Sequence, residues 1–233
     1  PAGAAGAVPE VRIADARVIE GTPRGSFGRS TFPDVQLRLS EVSPVPITVD
    51  IATADGTAVD RSDYRAVTRT VTFAPGQIVA VAGGTVVADV ADEPDESFTV
   101  NLSNPTNATI GRGQAVVTIV DDDSPPTIAI ADLRATEAGP GAATTTLFVS
   151  LSVASGRDVL VGYTIADGTA RQAADYVAPT SGTVTIPPGA TSRRIPVSII
   201  GDLVPESDEQ FSVTLSDPAN ATILDGTATA TIV

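Results

Sequence analysis

The chain is written twice. EVRIADARVIE at Glu10–Glu20 returns as TIAIADLRATE at Thr127–Glu137, and ATADGTA at Ala52–Ala58 returns as IADGTA at Ile165–Ala170. Asp63-Tyr64 returns as Asp175-Tyr176, and VTFAPG at Val71–Gly76 as VTIPPG at Val184–Gly189. DESFTVNLSNPTNATI, from Asp95 to Ile110, returns as DEQFSVTLSDPANATI, from Asp208 to Ile223, which sets Phe98 and Phe211 113 residues apart. Solenoids repeat every ~20–50 residues, so a period this long makes each copy a domain. With 233 residues in all, each copy has enough chain to bury its own core. The joint reads VVTIVDDDSPP over Val116–Pro126. It combines a β-branched run fit for a buried strand, three acids at the strand's solvent end, and a stiff, extended Ser-Pro-Pro link. The expected layout is a linker or frayed terminus at 1–9, a first domain at 10–123, a linker at 124–126 and a second domain at 127–233.

Val, Thr, Ile and Ala dominate with little Leu at helical spacing, and Gly and Pro fall as turn punctuation, which favours strands over helices. In the first copy the pattern predicts strand A at Val11–Ile19, a loop at Gly25–Arg29, strand B at Asp34–Leu39 and strand C at Pro46–Ala54. Strand D follows at Tyr64–Phe73, E at Gln77–Val90, F at Ser97–Leu102 and G at Thr109–Val120. Asp55-Gly56 and Pro75-Gly76 mark the turns after C and D, and Ala91–Glu96 is an acidic E–F loop. Seven short strands per copy predict an all-β chain of two tandem immunoglobulin-like antiparallel β-sandwiches. The Cys-Trp-Cys core signature of antibody domains is absent, since the sequence has neither residue.

Strand parity then places the acids. If every connection reverses direction, A, C, E and G all run toward one end of the sandwich. Glu20 ends A, Asp55 ends C, Asp89 closes E, and Asp121–Asp123 end G. Glu93, Asp95 and Glu96, in the E–F loop, belong to that same end. Loops of the opposite pole, such as Ser103–Asn107, show no such clustering. Singly, each acid is ordinary turn chemistry; gathered at one pole in two copies, they are not. Two carboxylates ~4 Å apart repel by roughly 4 kcal/mol at an effective dielectric of about 20, so a cation is needed to neutralise them. With no His and no Cys, softer metals are disfavoured. Ca2+ accepts about six to eight oxygens in flexible geometry, whereas Mg2+ demands an octahedron and keeps its waters.

A net charge of −14 argues against nucleic acid and against anionic membrane surfaces, both of which need basic patches. No apolar run approaches the ~20 residues of a membrane span, so direct membrane insertion is not expected. Without Cys there is no disulfide, thiolate nucleophile or thiolate zinc site, and without His the commonest general base is missing. All 14 basic residues are Arg, a composition we read as the trace of a GC-rich genome. The sequence starts with neither an initiator Met nor a signal peptide, so a mature segment or excised fragment is expected. An acidic, Cys-free, β-rich chain fits a secreted bacterial protein, extracellular or on the cell surface.

The ADGTA turn, the Asp-Tyr pair, the V-T-F/I-x-P-G hairpin, the D-x-x-x-E-x-D-E-x-F stretch at Asp89–Phe98 and Asp202–Phe211, and the terminal TIVDDD together resemble the Calx-β domain. That unit is known from the cytosolic calcium-sensing repeats of sodium–calcium exchangers and is widespread in bacterial surface proteins. The resemblance covers both halves and implies a seven-stranded sandwich that binds Ca2+ at one pole. Carried over by position, the ligands it implies in the first copy are Glu20, Asp55, Asp89, Glu93, Glu96, Asp121, Asp122 and Asp123, with the Ala91 carbonyl as a further donor. In the second copy they are Glu137, Asp167, Asp202, Glu206 and Glu209. Two departures stand out. The exchanger's high-affinity domain has an acid just before the E-strand Asp, where this chain has Ala88 and Gly201, and the positions answering to Asp121–Asp123 in the second copy fall past Val233. Fewer ions or weaker binding than in the exchanger sensor are therefore expected.

The leading functional expectation is a calcium-binding structural or adhesive module of a larger extracellular bacterial protein, with the neighbouring domains of that protein as partners. A carbohydrate- or protein-binding accessory module, taking a glycan or protein ligand, is the alternative. Its candidate stacking aromatics are Tyr64, Tyr163, Tyr176 and a few Phe, and the repeat-equivalent Tyr64 and Tyr176 read as core or turn anchors. An enzyme is not expected: paired carboxylates can hydrolyse glycosides, but an acid cluster duplicated in both copies, without substrate-binding aromatics, does not fit. Arg193-Arg194 and the Asn-Ala-Thr triplets at Asn107 and Asn220 read as solvated surface and turn residues.

Overall fold

The alternation of β-branched and polar residues resolves into strands throughout. In the computed structural model, which describes residues 8–21, 29–31, 35–137 and 139–233, every helical or strand element is a strand. The expectations for residues 1–7, for the loop at 25–28 and for Asp34 fall outside the described residues. Among those described, no helix is long and apolar enough to cross a membrane.

The first copy contains β1 (Glu10–Ile13), β2 (Ala16–Ile19), β3 (Arg29–Thr31), β4 (Val35–Leu39), β5 (Ile47–Ala54) and β6 (Tyr64–Arg65). It continues with β7 (Thr68–Phe73), β8 (Val79–Ala82), β9 (Thr85–Val87), β10 (Glu96–Thr106), β11 (Thr109–Arg112) and β12 (Gln114–Val120). Its sheets run β11-β1-β4-β8 and β2-β12-β10-β5-β7, with a small β3-β9-β6 sheet. The second copy contains β13 (Thr127–Ile130), β14 (Leu133–Ala135), β15 (Gly141–Leu151), β16 (Val159–Asp167) and β17 (Tyr176–Val177). The remaining strands are β18 (Ser181–Ile186), β19 (Ser192–Gly201), β20 (Glu209–Ala219), β21 (Thr222–Asp225) and β22 (Thr227–Ile232). Two five-stranded sheets result, β17-β19-β15-β13-β21 and β14-β22-β20-β16-β18.

Four expected single strands of the first copy are each two strands. Strand A breaks at Ala14-Asp15, so that β1 pairs with β4 while β2 pairs with β12 of the other sheet. The cause is a slip of phase: Val11 and Ile13 are buried at odd positions, then Val18 at an even one, and the chain changes face. Asp15 seals the crossing by accepting the Val116 N–H at 2.8 Å and pairing with Arg112. Strand E breaks at Gly83-Gly84, where neither residue has a side chain to pack, while its counterpart β19 runs unbroken through Pro196-Val197. D divides into β6 and β7, and G divides at Gly113. Arg29, expected in a loop, starts β3 against β9 instead.

Directions follow parity. β1 is antiparallel to β4 and β4 to β8, β5 is antiparallel to β10 and β10 to β12, and β2 runs parallel to β12. Strands A, C, E and G therefore end at one pole. Each copy packs its own core around a stacked pair: Tyr64 on Phe98 and Tyr176 on Phe211, ring centroids 4.1 Å apart in both. Both tyrosines are buried anchors, as their repeat equivalence suggests. Asn107 and Asn220 are turn residues with φ of 59° and 58°. By contacts the chain divides into two compact units, Pro1–Val90 with Pro94–Asp123 and Ala91–Glu93 with Ser124–Val233.

Candidate metal centre

The C–D turn is fixed first, because the aromatic stack holds it from below. Asp55 Oδ1 accepts the Tyr64 hydroxyl at 2.6 Å and the Asp60 N–H at 2.9 Å. Asp167 repeats this with the Tyr176 hydroxyl at 2.7 Å and the Gln172 N–H at 3.0 Å. Burial, reinforced by the Asp55 carboxylate, pushes the Tyr64 phenol up to about 12, and burial with the Asp167 carboxylate likewise raises Tyr176. In return the Tyr176 hydroxyl, helped by the Gln172 N–H, holds Asp167 below the usual carboxylate range. Gly56 lets the turn dock closely: a Cβ there would sit 2.4 Å from the Ser97 carbonyl oxygen, and Gly168 stands in the same relation to Gln210. That docking brings the C–D loop against the first residues of β10 and β20.

The ends of strands A, E and G are laced by backbone donors. Glu20 is buried, 6% exposed; its N–H donates to Val120 O and its Oε1 accepts the Asp89 N–H, both at 2.9 Å. The Gly21 N–H donates to Asp122 Oδ1 at 2.8 Å. In the second copy the Glu137 N–H donates to Val233 O at 2.7 Å, and Glu137 Oε1 accepts the Asp202 N–H at 2.9 Å. The conserved geometry between copies means that one glutamate pins the E–F loop to the end of strand A in each.

Among the described residues, three groups of carboxylates emerge, in each of which one oxygen per residue lies within 4.8 Å of the others. They are Glu20 with Asp121 and Asp123, Asp63 with Glu93 and Glu96, and Asp175 with Glu206 and Glu209. The last two are the same site seen twice, at offsets of 112 residues for Asp63 and Asp175 and 113 for the glutamates. Asp121 Oδ1 and Asp123 Oδ2 are buried atoms. Asp63 and Asp175 are not among the ligands that the resemblance implies. Each lies in the C–D loop beside Asp55 or Asp167, so strand parity applied to every acid of that loop would have placed them at this pole. Each also accepts a backbone N–H at 2.6 Å, from Val59 and Arg171, which orients the carboxylate.

The other expected ligands take supporting positions. Among the described residues, Asp55, Asp89, Asp122, Glu137, Asp167 and Asp202 lie outside the three groups. Ala91 is half-buried in the E–F loop. Asp95 forms an exposed ion pair with Arg17 at 3.2 Å. Asp202 and Glu137 nonetheless act on the second copy's group through charge. Desolvation first, then the negative Asp175, Asp202 and Glu137, push the Glu206 carboxyl up. Glu209 is raised by desolvation, by its hydrogen bond with Asp175, and by the charges of Asp175, Glu206 and Glu137. This copy's acids hold more negative charge than their surroundings compensate.

The model of the Calx-beta domain matches residues 31–123 and again 134–233. The chain belongs to the Calx-beta family. Its similarity to sodium/calcium exchanger 1 of Bos taurus is 28% identity over 189 residues, 73% of this chain and 19% of the exchanger. The Mus musculus exchanger 1 is 48% identical over 59 residues, 25% of this chain and 6% of that protein. The chain thus spans about a fifth of the length of the curated relatives it matches. Among solved structures, CBD12 from CALX1.2 aligns with 96% of this chain and 99% of its own at 18% identity and a TM-score of 0.43.

The donor sets of these two Calx-beta domains suit a hard cation. Every side-chain donor is a carboxylate oxygen, and the sequence offers no imidazole or thiolate to draw a softer metal. Two oxygens bound to one Ca2+ at about 2.4 Å can stand at most about 4.8 Å apart, and the oxygens of each group lie within that limit of one another. Calx-beta domains are binding and regulatory modules.

Proposed function

We propose that the tandem binds Ca2+ at the acidic pole of each Calx-beta domain and serves as a calcium-stiffened structural or adhesive module of a larger extracellular bacterial protein. The recurrence of one three-carboxylate group at matched positions of both copies carries this reading. Glu20, Asp121 and Asp123 would hold an ion in the first domain, together with Asp63, Glu93 and Glu96, and Asp175, Glu206 and Glu209 would hold one in the second. Asp89, Asp122, Glu137 and Asp202 stand close behind, tied by backbone hydrogen bonds to the same loops. The ion supplies positive charge that converts mutual repulsion of the loops into attraction. Neighbouring domains of the parent protein are the partners that a stiffened module would space, and an acidic, β-rich chain of net charge −14 fits an extracellular setting.

Thermal unfolding of the full chain in EDTA and in millimolar Ca2+ tests this. One ion at 100-fold its Kd adds about 2.7 kcal/mol if it ignores the unfolded chain, so the melting temperature should rise by several degrees. Asp121→Asn with Asp123→Asn should remove part of the rise and leave the melting curve in EDTA no lower. The reading fails if wild-type curves with and without Ca2+ superimpose.

A further inference from the structure

The second copy carries a concave surface that calcium binding leaves unused. Thr146, Phe148, Ser192, Arg193, Arg194 and Pro196, from β15 and β19, line a depression of about 690 Å3, within the ~300–1,000 Å3 usual for small-ligand clefts. Phe148 and Arg194 are direct cross-strand partners. The phenyl ring is 46% exposed, and the Arg194 guanidinium lies over it, 5.9 Å from the centroid. A smaller depression next to it, of about 240 Å3, shares Arg193 and Arg194 and extends the groove to Tyr163 and Thr183.

Charge makes this surface unusual for the chain. The net charge is −14, and Arg12, Arg17, Arg61, Arg112, Arg134 and Arg157 each have an acid partner. Among the described residues, Arg38, Arg65, Arg69, Arg171, Arg193 and Arg194 form no ion pair; Arg38, Arg65 and Arg69 donate to Gln36, the Arg61 carbonyl and the Val81 carbonyl, whereas Arg193 and Arg194 line the depression together. The fold does not require them either: the cross-strand pair at the matching place in the first copy is Gln36 with Val81, and Ala80 answers to Arg193. An exposed aromatic ring with two uncommitted guanidinium groups is therefore specific to the second domain.

We propose that this groove binds a uronate-bearing saccharide. The apolar C–H face of a sugar ring can rest on Phe148, and a carboxylate can take the two-pronged hydrogen bonds that a guanidinium offers. At 5.9 Å from the centroid, the Arg194 guanidinium is attracted by the ring before the ligand arrives and leaves the ring's exposed area open. Thr146 and Ser192 add hydroxyl partners for sugar hydroxyls, which an acidic peptide would not need. None of the proposed calcium ligands takes part, so the two readings can fail separately.

The test is calorimetric titration of the full chain, in EDTA, with oligogalacturonate, with a neutral galactose oligomer of equal length, and with polyglutamate. Oligogalacturonate should bind, and the other two should bind at least about tenfold more weakly, the loss expected when a charge-assisted pair or the ring contact is missing. Phe148→Ala and Arg194→Gln should each weaken oligogalacturonate by about the same factor at an unchanged melting temperature. Equal binding of polyglutamate would show charge attraction without sugar recognition and would overturn the proposal. So would binding that needs Ca2+, which would move the contact to the acidic poles, or no binding of oligogalacturonate at all.

Discussion

Asp55 and Asp63 lie eight residues apart in one loop yet meet different neighbours. Asp55 directs Oδ1 at the Tyr64 hydroxyl and at a backbone N–H, whereas Asp63 joins Glu93 and Glu96. From sequence the two look alike, because which acid faces the stacked ring depends on the turn's three-dimensional path. Replacing Tyr64 by Phe keeps the stack and removes the hydroxyl, which should cost about 1–2 kcal/mol in denaturant unfolding. The Tyr64 phenol is raised from 10.0 to about 12, so its contribution is full below pH 10.0 and is lost as pH rises through about 12. Tyr64→Phe should accordingly flatten the alkaline loss of stability, and an unchanged alkaline limb would show that the Asp55 contact carries no such weight. Glu206 and Glu209 give an acid-side counterpart. Their carboxyls are raised above 4.5, so the folded state favours the proton; that contribution is full below 4.5 and lost as pH climbs through the higher folded values. In EDTA, Glu206→Gln with Glu209→Gln should be more stable than wild type at about pH 7 and no more stable at about pH 4. Melting curves across that range check it, and a constant offset between the two proteins would overturn it.

At the scale of elements, the strands with clean alternation were legible and the broken ones were not. Strand C at Ile47–Ala54 and strand B from Val35 follow the two-residue period closely. Strand A also alternates on either side of Ala14-Asp15, but the slip of phase that sends β2 to the opposite sheet is one residue long and easily lost in a window average. Strand E carries its own warning in Gly83-Gly84, and the unbroken β19 shows what those positions do when they have side chains. The Asp-Gly turns were recognised as turns; their tight docking on the next strand was not, since no local pattern announces a long-range approach. Gly56→Ala would place a methyl 2.4 Å from the Ser97 carbonyl, a backbone atom that cannot swing aside. The C–D loop must shift, at about 1–3 kcal/mol by analogy with overpacked cores. Urea unfolding should show that loss, and calcium titration should show weakened binding, because the shift displaces Asp63 from Glu96. Wild-type affinity in a destabilised Gly56→Ala chain would mean that the turn's docking does not position the ligands.

Over the whole molecule, duplication made the fold legible and also conceals an asymmetry of charge. Both Calx-beta domains contain the group built from the C–D and E–F loops. Among the described residues, the first domain alone adds the group of Glu20 with Asp121 and Asp123. Glu137 and Asp202 keep the same backbone lacing as Glu20 and Asp89, so the difference lies in ligand count and not in the scaffold. Affinity for Ca2+ is set largely by how many charged oxygens close around it, with water filling what remains. The 233-residue chain should therefore titrate in two phases, a tighter one from the first domain and a weaker one from the second. Glu20→Gln with Asp123→Asn should remove much of the tight phase and leave the weak one in place. Glu206→Gln with Glu209→Gln should do the reverse. Isothermal titration of the wild type and the two double variants separates the contributions without cutting the chain. A single phase of equal affinity, diminished alike by both pairs of substitutions, would show that the Asp121–Asp123 run adds nothing to the cage shared by the two copies.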